Sequence, residues 1–147
     1  MKKSRLILLA LFVLILNLIW EFSHYRLYFD LTGIPSTLHL IMASLTDLLL
    51  ISFIFSLVSL FRKNINWIKN PKKLDYIIII IFGVLIASAI EFYSTTNNRW
   101  AYTDLMPTIF GIGISPLIQL FTTAIVSLIL IRFVKNYTLK CIACSSS

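Results

Sequence analysis

Four stretches of the chain are apolar at nearly every position, about 6–24, 38–61, 76–95 and 108–134. Each is close to the roughly 20 residues that a helix needs to cross a ~30 Å hydrocarbon core. The first has room to run on to Tyr28. Ile, Val and Phe are frequent in all four, which in water would favour strands. In a bilayer an open sheet leaves backbone groups unpaired, so the pattern predicts helices. The breaks between them carry turn chemistry: Thr32-Gly33-Ile34-Pro35-Ser36, Asn70-Pro71 and Asn97-Asn98. Asp75 stands near the start of the third helix.

The expected fold is an all-α bundle of four transmembrane helices. It forms one domain over 1–135, followed by a tail over 136–147. Composition agrees. Of 147 residues, 59% are hydrophobic and 13% charged, with a mean hydropathy of +0.90. A soluble domain is nearer 45–50% apolar and about 25% charged. Met1-Lys2-Lys3-Ser4-Arg5 before an apolar run also fits a signal peptide, but no A-x-A-like site follows. The first stretch is therefore read as an uncleaved anchor.

Charge then orients the bundle. Eleven of the thirteen Lys and Arg lie at the N-terminus, in the 62–73 loop or from the inner end of the last span onward. Only Arg26 and Arg99 lie in the other two loops. The positive-inside rule places both termini and the 62–73 loop in the cytoplasm. The net charge of +7 is a topology signal and a contact to anionic headgroups, not a nucleic-acid footprint. Trp20, Tyr25, Tyr28, Tyr93, Trp100 and Tyr102 fall near the outer boundary and Trp67 near the inner one, as an aromatic belt.

Against that frame the acids are lopsided. Glu21, Asp30, Asp47, Glu91 and Asp104 map to the outer half or outer loops, and only Asp75 to the inner side. Asp47 is predicted ~13 Å below the outer surface and Gln119 ~15 Å. Ionisable groups at such depth cost roughly 2.5–3.5 kcal/mol on insertion scales and face the bundle interior. Asn17, Glu21, His24 and Tyr28 are spaced to share one helix face. Ser44 with Asp47, and Ser88 with Glu91, repeat that spacing. All four helices can thus direct polar groups into one outward cavity.

Asp47, Glu91, Glu21 and His24 are the candidate catalytic groups, as acids, bases and a proton shuttle. Asn17, Tyr28, Arg99, Trp100, Tyr102 and Gln119 are the candidate binding groups, with Arg99 and Trp100 at the mouth. The stretch from Met106 to Gln119 reads as a non-ideal helix. Pro107 fits its first turn, Gly111 and Ser115 form a small-xxx-small pair, and Pro116 loosens it.

The set Trp20-Glu21-x-x-His24-x-x-Leu27-Tyr28, Asp47, Glu91, Arg99-Trp100-x-Tyr102, Met106-Pro107 and Gly111-x-Gly113-x-Ser115-Pro116-Leu117-x-Gln119 resembles a group of uncharacterised small bacterial four-helix membrane proteins. The resemblance covers nearly the whole chain except the tail. It implies a bacterial cell-membrane location and no activity. In architecture alone the chain is also similar to the EXPERA fold of emopamil-binding sterol isomerases and sigma-2-type proteins. Those are compact helical proteins with buried acids facing an apolar ligand cavity, and none of their catalytic residues maps onto this sequence.

The favoured expectation is a polar, acid-containing cavity that binds or transforms a lipid-like molecule. The alternatives are a non-catalytic assembly or regulatory subunit, paired with a membrane protein or with itself, and a small proton-coupled transporter. No metal site and no cofactor are expected. A haem or metal held by His24 and His39 is the weaker option. Cys141-x-x-Cys144 lacks a second metal pair or a thioredoxin-like context and reads as a reduced tail, open to palmitoylation.

Overall fold

The computed structural model describes the backbone over 3–30 and 33–145, and side chains over 4–29 and 33–134. Four helices dominate: α1 (Lys3–His24), α2 (Ser36–Arg62), α3 (Lys73–Thr96) and α4 (Ile114–Ser145). Between them lie short strands, β1 (Tyr28–Asp30), β2 (Trp100–Tyr102), β3 (Thr108–Ile109) and β4 (Ile112–Gly113), and 3-10 turns at Tyr25–Leu27 and Ile65–Lys69. All four helices are long and apolar enough to cross a membrane, α4 over Ile114–Val134. The α4 backbone stays helical through the predicted tail to Ser145, and the side chains of Cys141 and Cys144 lie outside the described residues.

The helices form a bundle in which α3 packs most on α4, and α1 on both α2 and α4. Leu9 and Val13 of α1, Ile51, Ile54 and Val58 of α2, Ile79 of α3, and Ala124 and Leu128 of α4 form its buried centre. Their spacing of three and four places them on one face of each helix. Leu49, Phe53, Leu60 and Leu85 point outward and are exposed, as a lipid-facing surface requires. The α3–α4 contact depends on Gly83, where an added Cβ would stand 2.9 Å from Phe121 Cβ. Gly83→Ala is expected to push the helices apart and lower stability by ~1–3 kcal/mol, readable as a fall in Tm of the purified protein.

At the basic end, α2 stops on Lys63 in the left-handed region, and Asn64 caps the following turn by accepting from Asn66 N–H at 2.8 Å. The turn carries Trp67 inward. Its Nε1–H donates to Ser59 Oγ at 2.8 Å and its ring meets Phe55 edge-on at 5.7 Å. Trp67 is therefore a core residue and not a belt residue. Asp75 is fully buried; it accepts from Lys72 N–H at 2.7 Å and pairs with Arg62 at 3.4 Å. The 62–73 loop is thus fastened to the helix ends on both sides.

At the acidic end the two loops are tied together. β1 and β2 pair antiparallel with Tyr28 opposite Tyr102, and Thr103 N–H donates to Leu27 C=O at 3.0 Å. Here the sequence reading of α4 is corrected. Residues 108–113 form a β3–β4 hairpin, not the first helical turns. Its two central residues, Phe110 and Gly111, have φ of +50° and +80°, the backbone of a tight two-residue hairpin turn. Gly111 and Ser115 therefore share no helix, and Pro107 starts none. Pro116 causes no kink, because it lies in the first turn of α4, where N–H groups have no intrahelical partner.

Phe110 is fully exposed at the hairpin tip. A bulky side chain in the left-handed region is strained. Phe110→Asn, the residue such turns prefer, is expected to raise stability by about 1 kcal/mol, seen as a higher Tm. Gly111→Ala is expected to lower it.

Candidate functional site

The polar centre of the bundle is built around one amide. Gln119, on α4, points its Nε2 at Glu21 Oε1 of α1 (2.7 Å) and at Asp47 Oδ2 of α2 (2.6 Å). Those two bonds use both of its hydrogens, and Asn17 Oδ1 is a more distant third partner at 3.4 Å. Asn17 is fully buried and donates to Val13 C=O at 2.9 Å. Its oxygen also lies 3.3 Å from Thr123 Oγ1, whose proton goes to Gln119 C=O at 2.9 Å. Glu21 and Asp47 thus converge on one nitrogen.

The third acid is held from above. Glu91, on α3, is only 4% exposed. Its Oε2 accepts from Trp100 Nε1–H at 3.2 Å and from Tyr102 Oη–H at 2.5 Å. Both donors sit on β2, so the strand pairing aims them. Tyr28, opposite Tyr102 on β1, completes an aromatic wall. Its ring lies 6.4 Å from Trp100, edge-on, and 5.9 Å from Tyr102. His39 also meets Trp100, at 6.4 Å between ring centroids. Burial pushes the Tyr28 phenol well above its ordinary range, with Glu91 and Glu21 adding to the effect. Burial, and then the hydrogen bond to Glu91, do the same for Tyr102. Both phenols therefore stay protonated across the physiological range, and Tyr102 is the one that donates to Glu91.

The wall has a tight floor at Gly113, where an added Cβ would stand 3.1 Å from both Tyr102 Cε1 and Met106 Sδ. Gly113→Ala is expected to displace Tyr102 and loosen Glu91. A changed Trp100 fluorescence spectrum with little loss of helical circular dichroism would report it.

Most of the residues expected from sequence do meet here. Asn17, Glu21, Asp47 and Gln119 form the amide-centred group; Glu91, Trp100, Tyr102 and Tyr28 form the clamp. Glu21 and Glu91 are both within electrostatic reach of Asp47. Tyr28 reaches the site from a strand, because α1 ends at His24. Gln119 is five residues, ~8 Å, into α4, because that helix starts at Ile114 and not at Thr108.

Arg99 is exposed and lies over the Tyr93 ring at 5.4 Å. One expectation is corrected. Ser44 and Ser88 do not point polar groups at the acids; their hydroxyls donate to Leu40 C=O and Val84 C=O of their own helices. His24 stacks on Trp20 at 4.5 Å, and its Nδ1 lies 3.0 Å from Trp20 C=O. A carbonyl only accepts, so Nδ1 carries the proton in that contact. His24 and His39 both lie within electrostatic reach of Glu21.

Thr123 was missed by the sequence reading, although its place four residues after Gln119 puts it on the same face. Ser115, four residues before Gln119, is buried, and its Oγ has no hydrogen-bond partner. At the second position of α4 it has no regular helical carbonyl one turn back to bond to. Among the described residues, no three His, Cys, Asp or Glu side chains gather as a metal-binding group.

No protein-family model, curated protein or solved structure matches the chain. The chemistry of the site is therefore taken from its own geometry: three carboxyl groups on three helices, a phenol and an indole as donors to Glu91, and one amide as the bridge.

Proposed function

We propose that this chain is a multi-pass protein of the cell membrane that binds a lipid-like molecule at the acidic end of its bundle. Glu21, Asp47 and Glu91 are placed there to move a proton at that molecule. The observation that carries the reading is the convergence of Glu21 and Asp47 on the single Gln119 amide, with Glu91 in electrostatic contact. Structural packing alone gives no reason to gather three acids in an apolar bundle, since amides would serve at lower cost. Coupled carboxyl groups in a sparingly hydrated site are a common arrangement for acid–base work.

The same geometry argues against passage through the bundle. Toward the basic end the buried centre is Leu9, Val13, Ile51, Ile54, Val58, Ile79 and Leu128. Buried hydroxyls in that direction, Thr123 and Ser127, bond to carbonyls of α4. A site closed on that side favours binding or chemistry over transport. The distribution of Lys and Arg supports an acidic end that faces outward.

A thermal-shift screen tests the reading. Purified protein in maltoside detergent is heated with a fatty acid, a monoacylglycerol, a long-chain isoprenoid alcohol and a sterol. A ligand of the folded state raises Tm in proportion to its occupancy. At least one class is expected to do so for the wild type and not for Asp47→Asn. Equal shifts in both proteins, or none in either, would remove the support for a site at these acids.

A second reading, a subunit of a larger membrane complex, is favoured by the exposed hairpin tip with Phe110, Ile109 and Leu105. Co-purification of another membrane protein with the wild type, lost in Phe110→Asn, would favour it.

A further inference from the structure

A second feature, a groove, lies at the opposite end of the bundle. A groove of about 270 Å³ runs between α1 and α2 and is floored by the Ile65–Lys69 turn. It exists because small residues face it: Ala10 on α1, and Ser52 and Ser56 on α2. Phe55 and Ile68 form part of its walls.

Its serines do not make it polar. Ser52 Oγ–H donates to Leu48 C=O at 2.7 Å, Ser56 to Ser52 C=O at 2.9 Å, and Ser59 to Phe55 C=O at 3.0 Å. The Ser59 oxygen is further occupied by Trp67 Nε1–H. With those protons engaged, the groove offers hydrocarbon contacts, which suit an alkyl chain and not a headgroup. Its volume is just below the usual 300–1,000 Å³ of small-molecule sites, enough for part of one chain.

The mouth is basic. Arg5 immediately precedes the lining residue Leu6, and Lys63 lies two residues before the lining residue Ile65. Lys69, Lys72 and Lys73 are exposed at the same end. The acid there, Asp75, is fully buried and engaged with Arg62 and Lys72 N–H, so it offsets little of that field at the surface.

We infer that this groove holds one acyl chain of an anionic phospholipid, with the lipid phosphate set against Arg5 and Lys63. The apolar groove supplies the packing, and the basic rim selects the headgroup charge. Each Lys or Arg near an anionic lipid surface contributes enough for several-fold selectivity, and two together give roughly tenfold or more. The site is separate from the acidic cluster and stands whether or not that cluster binds a ligand.

The test is native mass spectrometry of the full chain equilibrated with an equimolar mixture of phosphatidylglycerol and phosphatidylcholine of identical chains. Wild-type protein is expected to retain phosphatidylglycerol roughly tenfold over phosphatidylcholine. Arg5→Gln with Lys63→Gln is expected to bring the two lipids close to parity. Ser56→Phe is expected to remove the tightly held lipid while Tm stays near wild type. If Ser56→Phe does not fold, Ala10→Leu fills the groove from the other helix and is expected to give the same loss. Equal retention of both lipids by the wild type overturns the inference. So does a phosphatidylglycerol preference that survives in a folded, groove-filled variant.

Discussion

Gln119→Leu is expected to destabilise the bundle more than the other single changes considered. The leucine matches the glutamine in bulk, so little packing is lost. What disappears is the donor shared by Glu21 and Asp47. The two carboxyl groups are then left facing each other in an apolar bundle. Removing one partner of a buried charged network costs about 3–5 kcal/mol, a large part of the 5–15 kcal/mol that holds a typical domain together. The expected result is poor recovery of monodisperse protein on size exclusion and a sharply lower Tm. Adding Asp47→Asn to Gln119→Leu is expected to recover part of the loss, because the new amide can donate to Glu21. A coupling of ~1–3 kcal/mol between the two positions would show that they act as one unit. Purely additive effects would show that they do not.

Asp47→Asn by itself is expected to separate folding from function. The change preserves shape, and the new amide can hydrogen-bond with both Gln119 and Glu21. Stability is expected to stay within about 1 kcal/mol of wild type. Ligand affinity, read from the concentration dependence of Tm, is expected to fall tenfold or more, the scale of a lost charged hydrogen bond. If the site performs proton transfer, its rate is expected to fall by roughly 10²–10⁴. Unchanged ligand response in the folded variant would remove Asp47 from the chemistry.

The spans were legible because long apolar runs have one stable form in a bilayer, and the helices over 6–24, 38–61 and 76–95 match α1, α2 and α3 within a few residues. The convergence of Glu21, Asp47 and Gln119 was legible because polar residues in apolar helices must turn inward. The start of α4 was not. Residues 108–113 are apolar enough to continue a helix, and the hairpin they form depends on left-handed backbone at Phe110 and Gly111. Only Gly111 signals that conformation, since phenylalanine rarely adopts it.

That error also hid a matter of depth. Asp47 is eleven residues into α2, ~16 Å along it, whereas Gln119 is ~8 Å into α4. The two still meet, so α4 begins about 8 Å deeper than α2, with the hairpin packed ahead of it. The clamp on Glu91 was half visible. Trp100 and Tyr102 stood out as aromatic residues, but three-residue strands carry too little periodicity to reveal the pairing that aims them. Arg99, expected at the mouth beside Trp100, also has a structural part that its sequence position did not show. Its backbone N–H closes the α3 end on Ser94 C=O at 2.9 Å, and its side chain lies over Tyr93. Trp67 was read as a surface residue because no sequence signal showed that its turn folds back under Phe55.

The most direct measurement is native mass spectrometry of the wild-type protein released from its own membranes, beside Asp47→Asn and Glu91→Gln prepared in the same way. A lipid-sized mass retained by the wild type and lost from both folded variants is the expected result. Its identity would name the ligand class. The same mass on all three proteins, or a bare chain in every case, would contradict a ligand site at these acids.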